Sequence, residues 1–155
     1  MTVETDTLPA FRFEEHPDHP GWMNWTFIDD TRYNSFLDTI IVRSEGNTAR
    51  VRMWPSRKHS NFGDNVHGGA LLGFIDVALF AAIRSLGVID AGPSVTLDLN
   101  THFIGAGKID MALEAEVEML RETRRLIFLR GLLVQETGTV AEFSGTIRKA
   151  NVPRG

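Results

Sequence analysis

Residues 61–86 read Asn61-Phe-Gly-Asp-Asn-Val-His67-Gly68-Gly69-Ala-Leu-Leu-Gly-Phe-Ile-Asp76-Val-Ala-Leu-Phe-Ala-Ala-Ile-Arg84-Ser-Leu86. From about Gly69 to Leu86 nearly every position is apolar, over a length that suits a helix rather than a strand, and Gly87 supplies the stop. A helix apolar on nearly all sides must be enclosed on most of them. The flanking sequence offers the enclosure. Before the helix, strands are expected near Asp38–Arg43 and near Thr48–Trp54, joined by a turn at Glu45-Gly46-Asn47. In the second of these strands Ala49, Val51 and Met53 alternate with Thr48, Arg50 and Arg52. Thr31–Leu37 reads as a short helical lead-in, and Pro55–Val66 as a polar, glycine-rich loop.

After the helix come four longer strands. In Ser94–Phe103, Val95, Leu97, Leu99 and Phe103 share one face, opposite Thr96, Asp98, Asn100 and His102. In Ile109–Leu120, Met111, Leu113, Ala115, Val117 and Met119 oppose Asp110, Glu114, Glu116 and Glu118. Leu126–Gln135 is apolar on both faces, as a central strand would be, and Val140–Lys149 completes the set. Two strands, one helix and four strands imply an α+β architecture, one long helix wrapped by a curled antiparallel sheet.

A chain of 155 residues, 43% hydrophobic and 23% charged, fits one domain with a sizeable core. The absence of cysteine excludes disulfides, thiolate metal sites and cysteine nucleophiles. A net charge of −4 argues against nucleic acid as a partner. The first ten residues, with Glu4 and Asp6 and no basic residue, resemble neither a signal nor a transit peptide. The most apolar stretch, Ala70–Ile83, is short for a membrane span and contains Asp76, so a soluble cytoplasmic protein is expected. Residues 1–20 hold three prolines and read as an extended arm, after which Trp22, Trp25 and Phe27 could begin a packed edge. His16 and His19 lack the carboxylates of a metal cage, and no metal is expected. Nor is there a Gly-x-Ser-x-Gly elbow for a serine hydrolase.

Chemistry concentrates in the stretch quoted first. Asp76 is the one charge between Asp64 and Arg84, and among Phe74, Ile75, Val77 and Ala78 an ionised carboxylate is costly unless hydrogen-bonded. It could serve as a general base or nucleophile, or cap a neighbouring loop as a structural residue. Gly68 and Gly69 open the helix, where N–H groups lack internal acceptors and a glycine lets a ligand approach. Such a terminus suits a phosphate or an oxyanion. His67 and Asn61 add polar groups beside it.

Asn61, the His67-Gly68-Gly69 triplet six residues later and Asp76 nine after the histidine together resemble the signature of the phenylacetate-type (PaaI-like) hotdog acyl-CoA thioesterases. The resemblance runs over roughly residues 38–150. It implies the hotdog fold, with a hotdog domain at 31–155 and an N-terminal extension at 1–30. It also implies that the Gly68 N–H and the Asn61 amide receive the thioester oxygen. Asp76 would activate water or attack the carbon, and His67 would position the thioester or assist the thiolate. Thr96 falls where relatives carry a water-orienting hydroxyl. Asp64 departs from the pattern, since many relatives have glycine there, which bears on the aim of Asn61.

Coenzyme A, as part of the substrate rather than a cofactor, needs cations for its phosphates. The resemblance directs attention to Arg121, Arg124 and Arg125 at an expected hairpin, with Arg148 and Lys149 a second group. Gly68 and Asp76 stand eight residues apart on one helix, a rise of about 12 Å, too long for both to meet one carbonyl carbon. Two antiparallel copies of the helix at a two-fold interface would join them. The resemblance implies the same homodimer, with pairing of dimers into a tetramer as a further expectation. Two rival readings share the fold: a hotdog hydratase or dehydratase, and a non-catalytic acyl-CoA sensor that would keep the pocket and lose the carboxylate.

Overall fold

The computed structural model describes residues 11–88 and 94–150. In chain order the elements are β1 (Phe11–Arg12), β2 (Glu15–His16), β3 (His19–Asn24), β4 (Thr26–Phe27), β5 (Ile41–Glu45), β6 (Thr48–Met53), α1 (Gly68–Ser85), β7 (Val95–Phe103), β8 (Leu113–Glu122), β9 (Leu126–Gln135) and β10 (Gly138–Arg148). Short 3-10 turns at Tyr33–Leu37 and Arg57–His59 lead into β5 and into the loop before α1. Eight strands form one antiparallel sheet in the order β2-β3-β5-β6-β8-β9-β10-β7, and β1 pairs with β4 beside it.

Alternation explains which face is inside. Ala49, Val51 and Met53 of β6 and Leu113, Ala115 and Val117 of β8 are buried against α1. Their outward neighbours pair across the strands, Arg52 with Glu114 at 2.9 Å and Arg130 with Glu118 at 3.1 Å. The helix closes as its sequence dictates. Gly87 adopts φ 75°, the Gly87 N–H donates to Arg84 O (3.1 Å) and the Val88 N–H to Ile83 O (3.0 Å), a Schellman ending. Two glycines in the sheet are required by close approach. A side chain at Gly131 would meet the Glu116 carbonyl and the Phe143 ring, and one at Gly145 would meet Leu79 of the helix.

Two expectations change. The second of the four longer strands starts at Leu113 instead of Ile109, because Asp110 takes φ 63°. The turn around it is held by the buried Gln135 amide, which bonds the Lys108 N–H (2.7 Å), Lys108 O (2.8 Å) and Met111 O (3.2 Å). The stretch expected as an arm carries β1, β2 and the start of β3, and through Met23↔Val42 the β3 strand adds to the main sheet. Trp22 and Trp25 are buried, Trp22 with the Arg52 guanidinium 4.4 Å from its ring centre. Residues 1–10 of the arm and 151–155 of the domain lie outside the described residues.

The helix, at 18 residues, has the length expected, shifted by one residue, and by length and composition it could cross a membrane. Its packing gives another reason for that composition. Ten of its residues, from Ala70 to Ile83, are buried in the core. A stripe comprising Gly68, Gly69, Leu72, Gly73, Asp76, Phe80 and Arg84 is left uncovered or half-covered. Beside it runs β7, whose only sheet neighbour among the described residues is β10 and whose Val95, Leu97 and Phe103 are exposed.

Candidate active site

The loop before α1 is tied by its own side chains. Asn61 Oδ1 accepts from the N–H of Gly63 (2.9 Å) and of Asn65 (3.2 Å), while the Asn61 N–H donates to Asn65 O (2.8 Å). Its carbonyl is therefore engaged, and Nδ2 has no partner among the described residues. Asp64 sits in this turn at φ 58°. That left-handed conformation favours glycine and is tolerated by aspartate. The departure at Asp64 thus keeps the bend a glycine would make.

His67 caps the helix. Its Nδ1 accepts the Gly69 N–H (2.8 Å), and its carbonyl accepts from Ala70 (2.9 Å) and Leu71 (3.0 Å). An accepting Nδ1 carries no proton, so the ring's N–H is Nε2. Three of the first four N–H groups of α1 are thereby satisfied. The first, on Gly68, has no acceptor among the described residues, and it stands at the positive end of the helix. Phe103 of β7 covers this glycine, with Cζ 3.6 Å from where a Cβ would stand.

Two turns on, Asp76 is half-buried on the open stripe. The hydroxyl of Thr96 donates to its Oδ1 at 2.6 Å. Among the described residues Oδ2 has no hydrogen bond. Thr96 is the second residue of β7 and Phe103 the last, so strand and helix run antiparallel with Asp76 at one end of the contact and Gly68 at the other. The structure places His67 and Gly68 together at the helix start, with Asn61 in the turn that precedes them, and separately brings Asp76 and Thr96 together. Within one chain it does not bring the two groups together.

The basic residues form one cluster where two groups were expected. Arg148 is opposite Leu126 in the β9–β10 register and opposite Val95 in the β7–β10 register, and the Lys149 N–H donates to Arg125 O (2.8 Å). Arg121, Arg124, Arg125 and Arg148 are exposed, whereas Lys149 pairs with Glu122 at 2.7 Å. The cluster lies at the strand end that holds Thr96, and so on the Asp76 side. Among the described residues no group of three or more His, Asp or Glu could hold a metal.

His59 went unnoticed in the sequence. Buried, it accepts the Ser56 N–H on Nδ1 (2.9 Å) and donates from Nε2 to Phe36 O (2.7 Å), while its own carbonyl accepts the His67 N–H (2.7 Å). It bolts the Tyr33–Leu37 turn to the helix start. The Ser56-x-x-His59 spacing is that of a helix cap, but the two carbonyl contacts are non-local and leave no trace in the sequence.

The thioesterase superfamily model matches residues 63–142, just over half of the chain. The chain belongs to that superfamily. This thioesterase shares its fold with a hypothetical thioesterase from Streptococcus pneumoniae TIGR4 solved with coenzyme A, at a TM-score of 0.66 and 22% identity over 76% of this chain and 91% of that one. Zebra fish thioesterase superfamily member 2 is similar at 0.66 and 22%, covering 79% and 89%. The PaaI protein of the phenylacetic acid degradation operon of E. coli is similar at 0.61 and 21%, covering 70% and 82%. No curated protein matches the chain. The expected PaaI-like hotdog fold is the observed one, and membership makes the protein a thioester hydrolase. The matched residues include His67, Gly68, Asp76, Thr96 and the arginine hairpin, while Asn61 and Arg148 fall outside them.

Proposed function

We propose that this thioesterase hydrolyses an acyl-CoA to the free acid and coenzyme A, using Asp76 as general base and the N-terminus of α1 as the oxyanion site. The hydrogen bond from Thr96 to Asp76 Oδ1 carries the reading. It orients a carboxylate on the open face of an apolar helix and leaves Oδ2 to take a proton. The Thr96 oxygen keeps lone pairs to hold a water beside it.

Water gives its proton to Asp76 as its oxygen bonds to the thioester carbon, and the carbonyl electrons move to oxygen. The Gly68 N–H and Asn61 Nδ2 donate to that oxyanion, the Gly68 donor aided by the helix dipole. When the carbonyl re-forms, the C–S bond breaks and the thiolate leaves, near the Nε2–H of His67. The Asp76 proton returns to the products, and the base is restored. Arg121, Arg124, Arg125 and Arg148 bind the phosphates of the coenzyme, and the neighbour solved with coenzyme A agrees with a ligand of that kind.

The site is assembled from two chains. The rise of about 12 Å between Gly68 and Asp76 supports this. So do the uncovered helix stripe and the exposed apolar edge of β7 beside it. A thiol-release assay over a broad acyl-CoA panel, without added metal, tests the reaction. Release above background from at least one substrate is expected. Tight binding with no release from any of them would make the protein a sensor.

A further inference from the structure

Tyr33 belongs to the 3-10 turn before β5, yet its hydroxyl lies against the backbone of α1 at Gly73. A Cβ at Gly73 would collide with the Tyr33 Oη, with Cζ only 3.1 Å away. Glycine at position 73 is therefore what admits the phenol to the helix surface. Gly73 is on the open stripe, three residues before Asp76, a rise of about 4.5 Å. The phenol is held from behind. Phe36 stands 6.3 Å from the Tyr33 ring and 4.9 Å from the buried His59 ring, whose peptide carbonyl anchors His67.

What this arrangement lacks is a partner for the hydroxyl. Tyr33 is 57% exposed, and its Oη makes no hydrogen bond among the described residues. Solvent satisfies it while the stripe is open. Anything that fills the space over Gly73 excludes that water and must offer an acceptor or leave the hydroxyl unsatisfied. The position is about one helical turn from Asp76, the base of the proposed reaction, and on that reading it lies where the first carbons of an acyl group would run.

We propose that Tyr33 is a specificity residue of the thioesterase site. Its hydroxyl donates a hydrogen bond to an oxygen carried early on the acyl group, so the site selects oxygenated short acyl chains over plain ones. The inference rests on the hydrolase reading above and adds the substrate class to it.

Butanoyl-CoA and both enantiomers of 3-hydroxybutanoyl-CoA are the probes, with kcat and KM measured for each on wild type, Tyr33→Phe and Gly73→Ala. Wild type should prefer one hydroxylated enantiomer. Tyr33→Phe should lower that preference in kcat/KM by about tenfold while leaving butanoyl-CoA within about twofold. Gly73→Ala displaces the hydroxyl by another route and should reproduce the loss of preference. A merely structural role for Tyr33 would depress all three substrates together and leave their ratios unchanged. Unchanged ratios in variants that still release thiol would overturn the role of Tyr33 alone. No release by the wild type from these or any other acyl-CoA would overturn the hydrolase reading, and this inference with it.

Discussion

Asp76 is the sole acidic residue of α1, and the hydrogen bond it accepts from Thr96 governs what its replacement does. Asparagine is nearly isosteric and can accept from Thr96 through its own Oδ1, but it cannot take a proton from water. Asp76→Asn should cut turnover by about 10²–10⁴-fold, the worth of a positioned base, with the thermal midpoint little changed. Activity within a few-fold of wild type would remove Asp76 from the mechanism. At this scale the sequence was informative for particular reasons. A lone carboxylate in an apolar run stands out by composition, and the glycine pair after His67 marks a helix start. Asp64 was ambiguous because a residue letter does not carry φ. The value of 58° explains why glycine and aspartate are both compatible with the bend. Tyr33 offered no signal, since its contact with Gly73 spans forty residues of chain.

Elements were legible where their signals are local. Leu126–Gln135 appears in the structure with the bounds expected, because an apolar strand between two polar turns is self-delimiting. The strand expected from Ile109 failed at its start because alternation continues through a left-handed Asp110 that no neighbour betrays. β3 was missed as a strand because His19–Asn24 is polar and short, and its pairing with β5 comes from a distant segment. The close contacts at Gly131 were equally invisible, and they lead to a prediction. A methyl group there would be driven into the Glu116 carbonyl and toward Phe143 Cζ, 2.5 Å from the Cβ position. Gly131→Ala should destabilise by about 1–3 kcal/mol through overpacking. For a domain of this size each kcal/mol lowers the midpoint by about 2–4 °C. A midpoint equal to wild type in a melting experiment would mean that β8 and β10 part without cost.

The β8–β9 hairpin provides a functional test of an element. Its Arg121, Arg124 and Arg125 are exposed and lie far along the sheet from Gly68. On the proposed reading they hold the remote nucleotide equally in ground and transition states. Changing all three to alanine should then raise KM for an acyl-CoA more than it lowers kcat. A pantetheine thioester without the nucleotide should feel the change much less. Equal losses on both substrates would indicate damage elsewhere in the protein.

At the scale of the whole molecule, one chain holds the parts of a site at two separated places. Thr96 fixes Asp76 at one end of the α1–β7 contact, and Phe103 covers Gly68 at the other. A helix is too stiff to bend eight residues back on themselves, so the separation of about 12 Å persists in any single copy. Antiparallel helices across a two-fold axis would set Asp76 of each chain beside Gly68 of the other, giving two identical composite sites. Co-refolding two impaired variants, Asp76→Asn and Asn61→Ala, distinguishes this arrangement from a site within one chain. Random pairing makes about half the dimers mixed, and each mixed dimer then carries one doubly damaged site and one intact site. About a quarter of all sites should regain wild-type activity. Sites confined to single chains would each keep one lesion, and nothing would return. If Asn61→Ala retains activity by itself, His67→Ala takes its place, since His67 stands at the same end of the helix. Recovery near a quarter supports the shared site, while no recovery from demonstrated mixed dimers would end the two-chain arrangement.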